Sequence, residues 1–234
     1  MNLVHAGLGA AVAVGVLSAL LALITPRRLR LVPVGVGTVL VGAFGVLAGA
    51  VAVAGQAYSV EIPALLPLFG VSFAVDALSG LFLVVTGGVA IAVAVYGIGY
   101  ARHGLDGRGV QAVLPLFVLA MLLVPAAASV GTFLVCWELM ALTSLVLVLA
   151  EHQQRDTVAV AGRWYAVMTH LGMVAILIGL LVLVAHSADD SFPALRAAAT
   201  NLSPVVAGVV FVLTLVGFTS KAGILPLHAW LPRA

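Results

Sequence analysis

The 234-residue chain is too apolar for a soluble protein. Hydrophobic residues make up 64% of it and charged residues only 8%, whereas soluble domains have about 45–50% and about 25%. The net charge is +2 and no basic cluster exceeds three arginines, which excludes a nucleic-acid partner. The composition therefore predicts an all-α, polytopic membrane protein.

Seven apolar runs are long enough to cross a membrane as helices, which takes about 20 residues each. The runs are continuous rather than alternating, which favours helices over the strands of a barrel. The first run lacks a basic flank and a clear cleavage site, so we expect a retained helix rather than a signal peptide. In chain order the predicted spans are residues 3–24, 31–54, 73–97, 112–128, 131–150, 164–186 and 204–222.

Arginines are concentrated in alternate links between these spans. Eight arginines lie in the links after the first, third and fifth spans and after the seventh span. The remaining links contain a single arginine, Arg196. Because positive residues favour the cytoplasmic side, we expect an inner (plasma) membrane protein with its N-terminus outside. The outer link 55–72 is expected to lie along the membrane surface, and link 187–203 to form a short interfacial helix. The eight arginines are Arg27, Arg28, Arg30, Arg102, Arg108, Arg155, Arg163 and Arg233.

Two charged residues, Glu138 and Lys221, fall well inside predicted spans. A charge at the centre of a membrane helix costs about 2.5–3.5 kcal/mol, so both side chains should face protein or water. They are candidates for proton transfer, and the alternative is a structural ion pair that fixes helix packing. Asp76 lies near the start of the third span, where we expect a helix-start or lateral contact.

Lys221 is followed by residues that interrupt a helix. Gly223 relieves steric crowding and Pro226 cannot donate a backbone hydrogen bond, so the seventh span should break between Lys221 and Pro226. Broken membrane helices often form ion sites. His170, in the sixth span, and His228, beyond the break, can relay protons or simply bind a neighbouring helix.

Three stretches carry a resemblance to a known family. They are Trp137–Ser144 (Trp-Glu-Leu-Met-Ala-Leu-Thr-Ser), Met168–Gly172 (Met-Thr-His-Leu-Gly) and Lys221–Ala234, which begins Lys-Ala-Gly-Ile-Leu-Pro. They resemble the antiporter-like membrane subunits of respiratory complex I, Mrp antiporters and membrane-bound hydrogenases. The Trp-Glu-Leu-Met and Lys-Ala-Gly forms are most similar to hydrogenase-4 component B, the large membrane subunit of hydrogenase-4 and formate hydrogenlyase.

The resemblance implies a role for the buried charges. In this family a glutamate on the fifth helix pairs with a lysine on the broken seventh helix, and Glu138 and Lys221 occupy those positions. The glutamate would then tune the proton affinity of the lysine, and histidines such as His228 would pass protons along the membrane mid-plane.

The resemblance also implies that the chain is the N-terminal half of an approximately fourteen-helix fold, from a truncated gene, a split protein or an incomplete sequence. Residues 1–72 would hold two helices and an outer link, and residues 73–110 the third helix and a cytoplasmic link. Residues 111–234 would form an incomplete first antiporter-like repeat, helices four to seven.

The expected function is that of a proton-translocating subunit, or a fragment of one, in a hydrogenase-4-like or NADH dehydrogenase-like complex. The alternatives are an Mrp-type cation/proton antiporter subunit, with sodium as a possible ion, and a non-transporting membrane scaffold or remnant. No Cys/His pair has metal-ligand spacing and no cofactor motif is present, so we expect neither metal nor cofactor in this chain. The resemblance places redox cofactors and electron transfer in partner subunits.

Overall fold

The computed structural model describes residues 2–63, 65, 70–150 and 156–232, which form a bundle of helices with one small β-hairpin. Six of the helices are long and apolar enough to cross a membrane, and α4 is apolar but has only 16 residues. The predicted all-α, multi-span architecture is confirmed. The helices are α1 (Leu3–Ile24), α2 (Arg27–Val53), α3 (Ala77–Tyr100), α4 (Arg108–Leu123), α5 (Val130–Val148), α6 (Asp156–Val184), α7 (Phe192–Ala199) and α8 (Pro204–Ala222).

The link between α2 and α3 contains a β-hairpin. Strand β1 (Tyr58–Ile62) pairs antiparallel with β2 (Val71–Val75), so the third helix begins at Ala77 and not at 73. The α4–α5 turn extends this pairing, because the Ala74 amide donates to the Ala126 carbonyl at 2.8 Å. The prediction of a third span from 73 was therefore wrong at its start, since residues 71–75 satisfy their backbone groups with β1 and the turn.

Asp76 caps the N-terminus of α3. Its carboxylate accepts a hydrogen bond of 2.8 Å from the backbone amide of Ser79. This bond holds the pKa of Asp76 below its usual range, because the amide stabilises the charged carboxylate.

Helices α2 and α3 pack backbone to backbone through two pairs of glycines. A Cβ on Gly49 would lie 2.4 Å from the carbonyl oxygen of Gly80, and a Cβ on Gly42 would lie 2.7 Å from that of Gly87. Any side chain at these positions would collide with the facing backbone. Small residues provide this kind of close contact in membranes, where burial of apolar surface drives helix association only weakly.

Two arginines connect the start of α2 to the link between α3 and α4. Arg30 is buried, and its guanidinium donates to the carbonyl oxygens of Thr25 and Asp106 at 2.8 and 2.7 Å. Arg27 forms a two-pronged ion pair with the Asp106 carboxylate, at 2.5 and 2.8 Å. These hydrogen bonds lower the pKa of Asp106 and fix the α3–α4 link against the start of α2. Arg155 and Arg233 lie outside the described residues.

The last spanning helix ends where the sequence predicts a break. Helix α8 stops at Ala222, and Gly223 follows in the left-handed conformation with φ of 69°, which caps the helix. The peptide bond between Leu225 and Pro226 is cis, and residues 225–232 form turns rather than a continuing helix. The short helix predicted within residues 187–203 is α7.

Candidate functional site

Several polar side chains of α5, α6 and α8 lie where α6 packs against α5 and α8. A Cβ on Gly217 would lie 2.6 Å from the carbonyl oxygen of Gly172, so α6 and α8 approach closely at this point. The Ser220 hydroxyl donates to the Met168 carbonyl at 3.1 Å. Because the two helices run antiparallel, Lys221 on α8 comes to lie beside Tyr165 on α6.

Lys221 is hydrogen-bonded to a tyrosine. Its Nζ donates to the Tyr165 hydroxyl at 2.7 Å and lies 5.0 Å from the centre of the same ring. The Tyr165 hydroxyl is in turn hydrogen-bonded to the Ser144 hydroxyl of α5. Tyr165 is only 3% exposed, so this chain of ammonium and hydroxyl groups crosses from α8 through α6 to α5 inside the protein.

The segment beyond the helix break folds back over this chain. Trp230 Nε1 donates to the Ser220 carbonyl at 2.8 Å, and its ring meets the Tyr165 ring edge to face at 5.2 Å between centroids. The Ser220 carbonyl lies in the last turn of α8 and also accepts from the Gly223 amide at 3.3 Å. The break therefore places an indole over Tyr165 and gives a carbonyl next to Lys221 a second donor.

Glu138 pairs with His170, one turn further along α6 from Tyr165. Glu138 Oε1 lies 3.0 Å from His170 Nε2, and the side chains are 29% and 45% exposed. The other ring nitrogen, Nδ1, lies 2.7 Å from the Ala166 carbonyl oxygen. The pair is thus fixed by α6 at one end and opens toward the surface of the chain at the other.

The two contacts of His170 favour one tautomer of its ring. A carbonyl oxygen only accepts, so Nδ1 carries a hydrogen in either charge state of the ring. Nε2 then faces Glu138 Oε1 at hydrogen-bond distance, where a proton can be carried by either the imidazole or the carboxyl group. This geometry suits proton exchange between two groups that need not move.

The direct Glu138–Lys221 pair implied by the family resemblance is not among the contacts of the described residues. Each of the two charges bonds to a side chain of α6 instead. The space between α5 and α8 is occupied by aromatic side chains, with the Trp137 and Phe218 rings 5.5 Å apart. Helix α6 therefore bridges the carboxylate and the ammonium group.

Two buried polar atoms near this cluster lack a hydrogen-bond partner among the described residues. They are Glu138 Oε2 and His228 Nδ1. His228 lies in the turns after α8, where its carbonyl accepts from the Leu231 amide at 2.9 Å. Buried polar atoms of this kind are normally hydrogen-bonded, often to ordered water.

Three residues of the cluster were not predicted from the sequence. They are Tyr165, Ser144 and Trp230. Each lies in or beside a stretch in which only the charged or histidine residues were predicted as candidates. A tyrosine and a serine in apolar spans are a weak signal, because either can bond within its own helix, as Ser144 also does to the Ala141 carbonyl at 3.0 Å. Asp76, at the start of α3, is placed at a helix cap by the fold.

Comparisons with known proteins agree with this arrangement of helices. Residues 127–234 match the family described as NADH:quinone oxidoreductase/Mrp antiporter, TM. An uncharacterized protein of Mycobacterium tuberculosis is 54% identical over 200 residues, which cover 86% of this chain and 30% of that protein. Hydrogenase-4 component B of Escherichia coli is 34% identical over 162 residues, covering 68% of this chain and 23% of that protein.

Solved structures share the fold. The Mrp complex from Dietzia sp. DQ12-45-1b matches with a TM-score of 0.82 and 20% identity, over 98% of this chain and 25% of that one. Respiratory complex I from Thermus thermophilus matches with a TM-score of 0.75 and 25% identity, over 99% of this chain and 46% of that one. The chain thus spans less than half of the proteins it matches.

The described residues form a multi-span helical membrane protein that shares its fold with chains of the Mrp complex and of respiratory complex I. Residues 127–234 match the family described as NADH:quinone oxidoreductase/Mrp antiporter, TM, and the similar proteins include hydrogenase-4 component B.

Proposed function

We propose that this chain is a proton-translocating subunit, or part of one, of a hydrogenase-4-like or NADH dehydrogenase-like complex. The observation that carries the proposal is that Glu138 and Lys221 each bond to a protonatable side chain of α6. Charged residues inside spanning helices are rare and commonly mark ion or proton pathways. Here two such residues, from different helices, converge on the same third helix.

Proton movement would use two units that both involve side chains of α6. The carboxyl of Glu138 and the imidazole of His170 share one proton across 3.0 Å, and either can release it. The Tyr165 hydroxyl accepts from Lys221 at 2.7 Å and can donate to Ser144, so it can pass a proton by rotation. Water bound at Glu138 Oε2 and at His228 Nδ1 would extend the path, because both atoms are buried and have bonding capacity left.

The partly exposed Glu138–His170 pair supports a partner at this surface. A pair of polar side chains that opens out of α5 and α6 at membrane depth must face protein or water and not lipid. We infer that another antiporter-like segment or membrane subunit covers this face. Redox cofactors would lie in partner subunits. The chain would lie in the plasma membrane, with the arginine-rich ends of its helices facing the cytoplasm.

The test uses the assembled complex that contains this chain, reconstituted into vesicles. Electron transfer and vesicle acidification are measured together for wild type and for Lys221→Ala. We expect acidification to be lost while electron transfer continues in part. Arg163→Ala is the matched control, because it removes an exposed positive charge in the second turn of α6. Normal acidification by Lys221→Ala would contradict the proposal and favour a structural role. Sodium-dependent acidification would favour a cation/proton antiporter.

A further inference from the structure

The arginine-rich end of the bundle contains a cavity of about 630 Å³ with one polar and one apolar wall. Arg27, Arg28, Arg102 and Asp106 form the polar wall, and side chains from the first turns of α2, such as Leu29 and Val32, form the apolar wall. Leu29 and Val32 are 67% and 53% exposed. The cavity therefore lies at the boundary between the spanning helices and the links that join them.

The polar wall is held in place and carries excess positive charge. Arg30, buried behind it, ties the α1–α2 turn to the α3–α4 link through Thr25 and Asp106. The carboxylate of Asp106 is engaged by Arg27. Within the described part of the chain, Arg28 and Arg102 make no ion pair, so two exposed guanidinium groups remain to bind an anion.

An apolar groove begins where this cavity ends. A second cavity, of about 560 Å³, runs between α1 and α2 and shares Pro33 with the first. Its walls include Leu17, Ile24 and Leu40, which are 63%, 77% and 43% exposed. A ligand that follows both cavities would have its anionic group among the arginines and a long apolar part along α1 and α2.

The other end of the bundle has a cavity of comparable size with different charges. It measures about 670 Å³ and lies beside the hairpin, where its charged residues are Asp76 and Arg196. One charge of each sign gives this cavity no preference for an anion. The contrast between the two ends argues that binding at the arginine end would depend on ligand charge and not merely on an apolar groove.

We propose that the arginine end is a binding site for an anionic phospholipid. The phosphate lies between Arg28 and Arg102, and an acyl chain lies in the groove between α1 and α2. Basic pockets between membrane helices bind anionic headgroups, and each arginine near the surface adds about a fivefold preference. This assignment is independent of proton transfer, because it involves no residue of the α5–α6–α8 cluster.

The test measures how strongly the protein in nanodiscs selects spin-labelled phosphatidylglycerol over spin-labelled phosphatidylcholine. For wild type we expect selection of the anionic lipid. For Arg28→Gln/Arg102→Gln we expect the selection of phosphatidylglycerol over phosphatidylcholine at the site to fall about 25-fold. Arg28→Lys/Arg102→Lys keeps both charges and should keep most of the selection. Arg196→Gln, which removes the exposed arginine of the hairpin-side cavity, should change nothing.

Two further experiments distinguish a site for a lipid from a site that binds any anion. Inorganic phosphate, added at the same concentration as the labelled lipid, should not displace it, because phosphate cannot use the groove. Leu17→Asn/Leu40→Asn should weaken lipid selection while the arginines stay in place. Equal selection by wild type and the double Gln variant, or displacement by phosphate alone, would overturn the proposal.

Discussion

The ammonium group of Lys221 donates a 2.7 Å hydrogen bond to the Tyr165 hydroxyl, and that hydroxyl also bonds to Ser144. This link predicts that Tyr165→Phe slows proton translocation about tenfold or more, since a hydrogen bond to a charged group contributes about 1.5–3 kcal/mol. The phenyl ring keeps the contacts with Lys221 and Trp230, so folding should be little affected. The measurement is vesicle acidification per electron transferred.

Tyr100→Phe is the matched control for this variant, because it removes a hydroxyl from a tyrosine that is 55% exposed on α3. Its acidification should equal that of wild type. If Tyr165→Phe also equals wild type, the hydroxyl is not part of the path.

Glu138 and His170 should behave as one unit. Because the proposed path has both residues handle the same proton, Glu138→Gln and His170→Gln should each reduce translocation strongly, and the double variant should be no slower than the slower single variant. Initial rates of vesicle acidification are measured for wild type, the two single variants and the double variant. Comparing these four rates gives the coupling between Glu138 and His170. Effects that multiply in the double variant would show that the two residues act separately.

The glycines between α2 and α3 should tolerate no side chain. Gly49→Ala would place a Cβ 2.4 Å from the Gly80 carbonyl oxygen, which forces the helices apart and costs about 1–3 kcal/mol. Gly88→Ala, on the same pair of helices, has no atom within 4 Å of the new Cβ and should be neutral or slightly stabilising. Thermal unfolding of both variants in one detergent compares them, and equal midpoints would contradict the packing.

The Arg27–Asp106 ion pair should make stability depend on acid pH. The pKa of Asp106 is lowered in the folded protein by its hydrogen bonds with Arg27, so its stabilising effect is present above an unfolded pKa of about 3.9. The effect is lost as the pH falls through the folded pKa. Unfolding midpoints of wild type and Asp106→Asn should therefore differ at pH 6 and converge below about pH 4. A constant difference would mean that the carboxylate charge is not involved.

Much of the fold could be predicted because spanning helices are long, apolar runs with charged links. The predictions failed where other contacts compete with the apolar pattern. The fourth run was predicted to end at 128, yet α4 ends at Leu123, because residues 126 and 128 bond to strand β2. The alternation in Val71-Ser-Phe-Ala-Val is typical of a strand, but adjoining apolar residues hide it.

The candidate site could be predicted only in part. Glu138, Lys221 and His170 stand out because charged and histidine side chains are costly inside a membrane helix. Their partners depend on how α6 packs between α5 and α8, which is fixed by the contact of Gly172 with Gly217. Sequence spacing within one helix contains no information on that contact.

Reaction-induced infrared difference spectra test most directly whether Glu138 takes part in proton transfer. Spectra of the reconstituted complex during turnover should contain a carboxylic-acid C=O band that shifts in D₂O. We predict that this band is absent in Glu138→Gln and present in Glu61→Gln, which changes an exposed carboxylate of the hairpin. A band that persists unchanged in Glu138→Gln would contradict the account.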